Sequence, residues 1–309
     1  MSDGRQGPRG AGRGERRDER AIRVRVARRA DFPSLERRLR RAALARGVDY
    51  DLGGGRRIPI DMMPSPVLLT GAQLAFLRRL AEAVNGMLRR LPQLFLTDAA
   101  VRAALPFPAD EEALVRDCYR SRGPQTLVTR VDFDLPNDTT AATRRTVAFE
   151  PNGVSIGGIF YGGECARVIA DVALDDRARR ELRYLDDACQ AIPRLLRRHA
   201  AALGLGPGLH VAILEDREWD SGITEMPRLA ATLEAAGMSA ALGDPRDLAL
   251  RGGRVTLHGR KVDLIYRNME ARDLCDIELG GVRLAALREA FRRDLVVSGI
   301  AGDFDHKSV

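Results

Sequence analysis

Two short stretches with a two-residue alternation constrain the fold of this chain more than any other feature. In 126–135, Leu127, Thr129, Val131 and Phe133 alternate with Arg130, Asp132 and Asp134; in 146–152, Val147 and Phe149 alternate with Ala148, Glu150 and Asn152. Successive side chains of a strand point to opposite faces, so the pattern predicts two strands, each with an apolar and a charged face. The polar segment 136–145, with Asn137-Asp138, joins them as an antiparallel hairpin. Such a hairpin places Arg130, Asp132, Glu150 and Asn152 on one surface. Two carboxylates and an amide oxygen are hard donors that suit Mg²⁺, and a guanidinium beside them suits a phosphate. A plain hairpin with one face on the core and one in water carries the same alternation.

Around this hairpin the chain changes texture. Residues 1–30 are rich in Arg and Gly and poor in apolar residues, and read as a disordered tail. The pattern predicts helices over 31–46, 71–91 (capped by Thr70), 97–105 and 110–121, with a Gly- and Pro-containing loop over 51–65. A Gly-rich turn follows the hairpin, and helical pattern resumes at 164–173 and fills most of 175–203. The tract 204–208 (GLGPG) breaks it and marks a domain boundary. Beyond it, strands at 210–214, 239–242, 262–266 and 295–297 alternate with helices at 223–236 and 279–292, and a hairpin occupies 248–258. Alternating strands and helices argue for a small open parallel sheet. The expected class is α/β: an α+β region over 31–207 carrying the hairpin, then a parallel-sheet domain over 208–309.

Composition narrows the function classes. No run of 18 apolar residues is present, and the N-terminus has no apolar signal core, which predicts a cytoplasmic protein without a membrane partner. The four cysteines are widely spaced, as expected of reduced thiols. The net charge is +7, but residues 1–50 hold 15 Arg and 7 acidic residues, or +8, and the remainder sums to −1. The basic character therefore belongs to one end. That end has no aromatic before Phe32 for base stacking, which argues against nucleic acid as a partner. Of the 50 basic residues only Lys261 and Lys307 are lysine, and lysine is a compact phosphate partner.

Other chemistries fit less well. The first parallel strand is followed by Glu215-Asp-Arg-Glu218 rather than a G-x-G-x-x-G turn, which would repel a pyrophosphate. The segment 153–157 (GVSIG) matches G-x-S-x-G, and Asp220 or Asp244 with His258 would follow Ser155 in the order of a hydrolase triad. Against a serine hydrolase stand the helical character of the preceding residues, Pro151 in the supposed central strand, and the lack of an upstream oxyanion segment. His199, His210, His258 and His306 show no zinc spacing.

The ordered set Arg130-Val-Asp132, then Glu150-Pro-Asn152-Gly-Val-Ser155-Ile-Gly157-Gly158, then 262–267 (VDLIYR), then Asp305-His-Lys307, resembles the circularly permuted ATP-grasp ligases of the glutathionylspermidine synthetase and glutathione synthetase group. The resemblance covers roughly residues 60–309. It implies that 208–309 is a pre-ATP-grasp-like domain. It also implies a carboxylate–amine ligase that uses ATP and Mg²⁺ to join a small-molecule carboxylate and an amine through an acyl phosphate. By that resemblance Asp132, Glu150 and Asn152 hold Mg²⁺, Arg130 steadies the transferring group, and Lys307 touches nucleotide phosphates. Gly157 and Gly158 allow close approach, and Ser155, Gly222, Glu225 and Arg267 are substrate contacts. In that family the nucleotide lobe continues past the Asp-x-Lys segment, so the chain reads as truncated before its ATP site is complete. The alternatives are a non-catalytic binding domain and a hydrolase using Ser155.

Overall fold

The computed structural model describes residues 32–63, 69–120, 123–134, 146–181, 188–218 and 224–305. The expected tail, the hairpin loop with Asn137-Asp138, and the candidate residues Gly222 and Lys307 lie outside these. The chain forms two compact units, 1–74 with 164–185 and 75–163 with 186–309.

In the first unit α1 (Phe32–Arg46) buries Leu35 and Leu39, four residues apart in the apolar stripe, against Val168. The Gly-rich segment expected as a plain loop is a small hairpin, β1 (Asp49–Asp51) against β2 (Arg57–Pro59). Gly53, Gly54 and Gly55 supply its turn, all with positive φ; a side chain is costly in that conformation.

The second unit begins in α2 (Gly71–Thr97), which carries buried Pro92 within its span and runs six residues past the predicted end. Short helices α3 (Ala99–Ala104) and α4 (Ala109–Cys118) follow. The expected hairpin is present as β3 (Arg130–Asp134) antiparallel to β4 (Val147–Asn152). Next come α5 (Tyr161–Ala173), α6 (Asp176–Glu181) and α7 (Ala188–Ala202); α5 and α6 belong mostly to the first unit.

The α/β expectation holds in the remainder. Strands β5 (His210–Leu214), β6 (Ser239–Gly243), β10 (Leu264–Arg267) and β11 (Val296–Val297) form a parallel sheet in the order β11-β10-β5-β6. Between them lie α8 (Glu225–Ala235) and the antiparallel β7 (Leu248–Arg251), β8 (Arg254–Leu257) and β9 (Arg260–Lys261). All five residues of β5 are buried. Ala212 and Leu214 pack with Leu274, Leu287 and Phe291 on one face; Val211 and Ile213 pack with Leu196, Leu229 and Leu233 on the other. A parallel strand covered on both faces reads as a continuous apolar run, which is how β5 appears in the sequence.

The helix expected at 279–292 is shorter, α10 (Ala285–Arg292), and an unforeseen helix, α9 (Ala271–Leu279), precedes it. A capping box between Glu270 and Asp273 starts α9, and Gly281, at φ +92°, follows its end. After α10 the chain turns into β11 through Asp294, a non-glycine residue at φ +56°. Its side chain lies against the Gly123 backbone, accepts a bond from the Gln125 backbone, and leaves Oδ2 buried without a partner. Burial pushes this carboxyl up to about 6.

The folded protein therefore holds that proton at a pH where the unfolded chain has released it. Stability from the protonated form is complete below the ordinary Asp range and is lost as pH rises through about 6. Asp294→Asn, which tolerates the same backbone, is expected to flatten this dependence and to melt above the parent at pH 8. Thermal unfolding followed by circular dichroism from pH 4 to pH 8 checks it.

Candidate functional site

The register of the hairpin decides what the site contains. Asp132 is paired with Glu150, and Arg130 with Asn152. Directly opposed residues of an antiparallel pair hold their Cβ atoms about 4.5–5.5 Å apart, so the two carboxylates share one patch of surface. Arg130 sits among them. It donates Nε–H and Nη2–H to the two oxygens of Asp132 at 2.9 and 3.0 Å, and its Nη2 lies 3.8 Å from Glu150 Oε1. Asn152 donates Nδ2–H to Glu150 Oε1 at 3.3 Å. The four residues expected on one face are brought together.

The alternation fails one step further out. A bulge between Asp132 and Phe133 shifts the register, so Phe133 pairs with Ala148 and Phe149 falls outside the ladder. Phe149 is 69% exposed and Val147 53%, so the face expected to be apolar and buried is open in β4. Pro151, an obstacle in a central strand, is accommodated in this two-stranded ribbon.

The hairpin is rooted at both ends. The Ser298 backbone N–H donates to Thr126 O; its Oγ accepts from Val128 N–H and donates to Val128 O, which ties the approach to β3 to the end of β11. At the end of β4, Gly153 and Gly302 stack backbone on backbone. A Cβ on Gly153 would lie 2.3 Å from Gly302 O. The Gly153 N–H donates to Asp305 Oδ2 at 2.7 Å, so the acidic residue of the Asp-x-Lys segment grips the end of the strand that carries Glu150 and Asn152.

The turn after β4 holds the remaining candidates. Gly157 O accepts Arg130 Nη1–H at 2.8 Å. A Cβ at Gly157 would meet that nitrogen at an ordinary 3.7 Å, whereas Gly158 needs glycine for its φ of +88°. Ser155 sits at φ +48°, its Oγ buried and without a hydrogen-bond partner among the described residues. Among the described residues the hydrolase triad is not assembled. Asp244 is tied to Arg217 and Arg246, and His258 is exposed in the turn between β8 and β9; Asp220 lies outside the described residues.

Two residues expected to contact substrate are engaged elsewhere. Glu225 is 1% exposed and accepts from three backbone amides: Gly158 at 2.7 Å, Phe160 at 2.7 Å and Tyr161 at 2.9 Å. Arg267 is buried. It pairs bidentately with Asp303 at 3.0 and 2.7 Å, donates to the carbonyls of Met269, Ser298 and Gly299, and lies 5.3 Å from the Phe291 ring centre. Asp303 also accepts from Ala271 N–H, so this pair fastens α9 and the 3₁₀ segment Ile300–Phe304 to the end of β10. Nothing in the VDLIYR run signals this structural role, because the partner lies 36 residues away.

A pair not singled out in the sequence lies at the carboxyl ends of β5 and β10, where the strand order reverses direction and open α/β sheets place their ligands. Asn268 donates Nδ2–H to Glu215 Oε1 at 3.0 Å. Burial holds the Glu215 carboxyl above the usual range, with Asn268 pulling it back. The apolar run before Glu215 and the strand before Asn268 were the available signals.

Among the described residues no group of three or more His, Cys, Asp or Glu is placed to hold a metal ion, and no helix is long and apolar enough to cross a membrane. The hairpin donors still fit magnesium. That ion keeps several waters and binds through one or two carboxylates plus substrate phosphates rather than in an all-protein cage.

No family model matches the sequence, and no curated protein matches it. Among solved structures the fold is similar to that of a glutathione synthetase-like effector from Globodera pallida in its apo form, with a TM-score of 0.55 and 11% identity. The match covers 78% of this chain and 58% of that one, so this chain spans little more than half its length. At this identity the likeness is one of fold: a glutathione synthetase-like mixed α/β architecture.

The structural role of Arg267 is directly testable. Asp303→Ala leaves a buried guanidinium without its counter-ion and is expected to cost about 3–5 kcal/mol. Replacing both partners with apolar residues, Arg267→Met with Asp303→Leu, is expected to restore much of that loss in urea unfolding. A substrate-binding Arg267 would instead tolerate Asp303→Ala with little change in midpoint.

Proposed function

We propose that the chain carries the metal- and phosphate-binding half of an ATP-dependent carboxylate–amine ligase. The observation that carries this reading is the direct opposition of Asp132 and Glu150, with Asn152 and Arg130 on the same patch. The synthetase-like fold supports it at the level of architecture.

Asp132, Glu150 and Asn152 would hold Mg²⁺ together with nucleotide phosphates. Bound there, the ion would neutralise phosphate charge during transfer of the terminal phosphoryl group to a substrate carboxylate. Arg130 now serves as the counter-ion of both acids. With a cation held by Asp132, its fork would be free to donate to a phosphoryl oxygen, and the bond to Gly157 O would keep its direction. Phosphoryl transfer asks mainly for positioning and charge neutralisation, which these groups supply. Lys307 would extend the phosphate contacts. The Glu215–Asn268 pair, with Ser155 and Gly222, is our candidate for contacting the small-molecule acid or amine.

A second reading has its own observation. The bidentate Arg130–Asp132 pair already satisfies the site, as it would in a binding domain of this fold without catalysis.

Isothermal calorimetry with Mg·ATP separates the two. The ligase reading expects binding that Glu150→Gln and Asp132→Asn each weaken at least tenfold, about 1.4 kcal/mol, with little change in melting temperature. Absence of Mg·ATP binding to the parent protein, or full binding by both variants, contradicts it.

A further inference from the structure

Glu225 is a buried carboxylate 64 residues beyond the turn it serves, and its hydrogen bonds are those of a clamp. Oε2 accepts from Gly158 N–H and Oε1 from both Phe160 and Tyr161 N–H, all at 2.9 Å or less. Phe160 precedes and Tyr161 begins α5, while Glu225 is the first residue of α8. The carboxylate thus lies at two helix N-termini, where unpaired amides and helix dipoles stabilise negative charge. The clasp is doubled next door: Thr224 N–H donates to Tyr161 Oη at 2.8 Å, and the two hydroxyls lie 3.0 Å apart. A buried charge held only by amides is costly unless every bond is made. The segment 157–161 is therefore tightly determined around Glu225.

That segment also ends in Gly157 O, which accepts from Arg130 Nη1. Arg130 is half exposed and would otherwise swing on a flexible stem. Its remaining contacts are to Asp132 and Glu150, the two acids that would hold the metal ion in the ligase reading.

We propose that Glu225 is a positioning residue for Arg130. It acts through the backbone of the glycine turn, so that α8 sets the direction of a guanidinium on β3. This deepens the ligase reading, on which its functional consequence rests. The mechanical coupling itself is present in the ligand-free protein.

The test reads Arg130 directly. Its Nε–Hε resonance, identified by its loss in Arg130→Lys, is followed by ¹⁵N NMR without ligand. Glu225→Gln keeps the shape but turns an acceptor into a donor facing an amide; Arg130 Hε exchange is expected to rise at least tenfold. Gly158→Ala strains the same turn without touching the buried charge and should move the same resonance in the same direction. It carries the test if the Glu225 variant does not fold. Glu278→Gln, which alters another carboxylate that caps a backbone amide, should leave Arg130 unchanged. An unchanged Arg130 resonance in a folded variant of Glu225 or Gly158 overturns the proposal, since a merely structural Glu225 would lower the melting temperature alone. Mn²⁺ titrations with ATP form the second arm. A parent that binds no Mn·ATP while Arg130 still responds to Glu225→Gln removes the ligase reading and leaves the coupling standing. A parent that binds, with binding weakened about tenfold in Glu225→Gln, supports both.

Discussion

The candidate site rests on one constraint, the pairing of two acidic residues across an antiparallel ladder. Backbone hydrogen bonds fix Asp132 opposite Glu150 whatever their side chains prefer. Two like charges about 5 Å apart repel by roughly 3 kcal/mol at an effective dielectric near 20, and less where water reaches them. A positive group beside them relieves that repulsion, and Arg130 supplies one in cis, paired with Asp132 and 3.8 Å from Glu150. Gly157 O receives one arm, the turn supplies Gly157, and Glu225 fixes the turn. At the other end of β4, Asp305 and the Gly153–Gly302 contact hold the strand that carries Glu150 and Asn152.

The buried ion pair of Arg267 and Asp303 has a different task. It sits at the end of β10 and joins the sheet to α9 and to the segment that reaches Asp305. The hairpin grip therefore depends on the sheet domain through a short chain of contacts within the second unit. Ser298 adds a parallel connection from β11 to the strand bearing Arg130.

What the sequence discloses is what has a short period. The alternation of 126–135 and 146–152 announces the hairpin, and the buried run at 210–214 announces a covered parallel strand. The shared surface of Arg130, Asp132, Glu150 and Asn152 follows from that alternation alone. Long-range and conformational facts escape it. The bulge that frees Phe149 depends on how two strands meet. Helix α9, ahead of Gly280-Gly281, and the late start of α10 carry no clear apolar period. Arg267 looks like a strand-end arginine until Asp303 appears beside it, and Glu225 looks like a surface helix start until three distant amides converge on it. Glu215 and Asn268 become neighbours only once β5 and β10 are known to be adjacent. Charged residues with non-local partners carry no periodic signature, and only the fold shows what they hold.

The most direct measurement of the central claim is paramagnetic broadening of backbone amides by Mn²⁺ in the presence of ATP. The account predicts selective loss of signal at residues 130–132, 150, 152 and 153, with β6 at the far edge of the parallel sheet little affected. Uniform weak broadening, or broadening centred on another part of the protein, would contradict it.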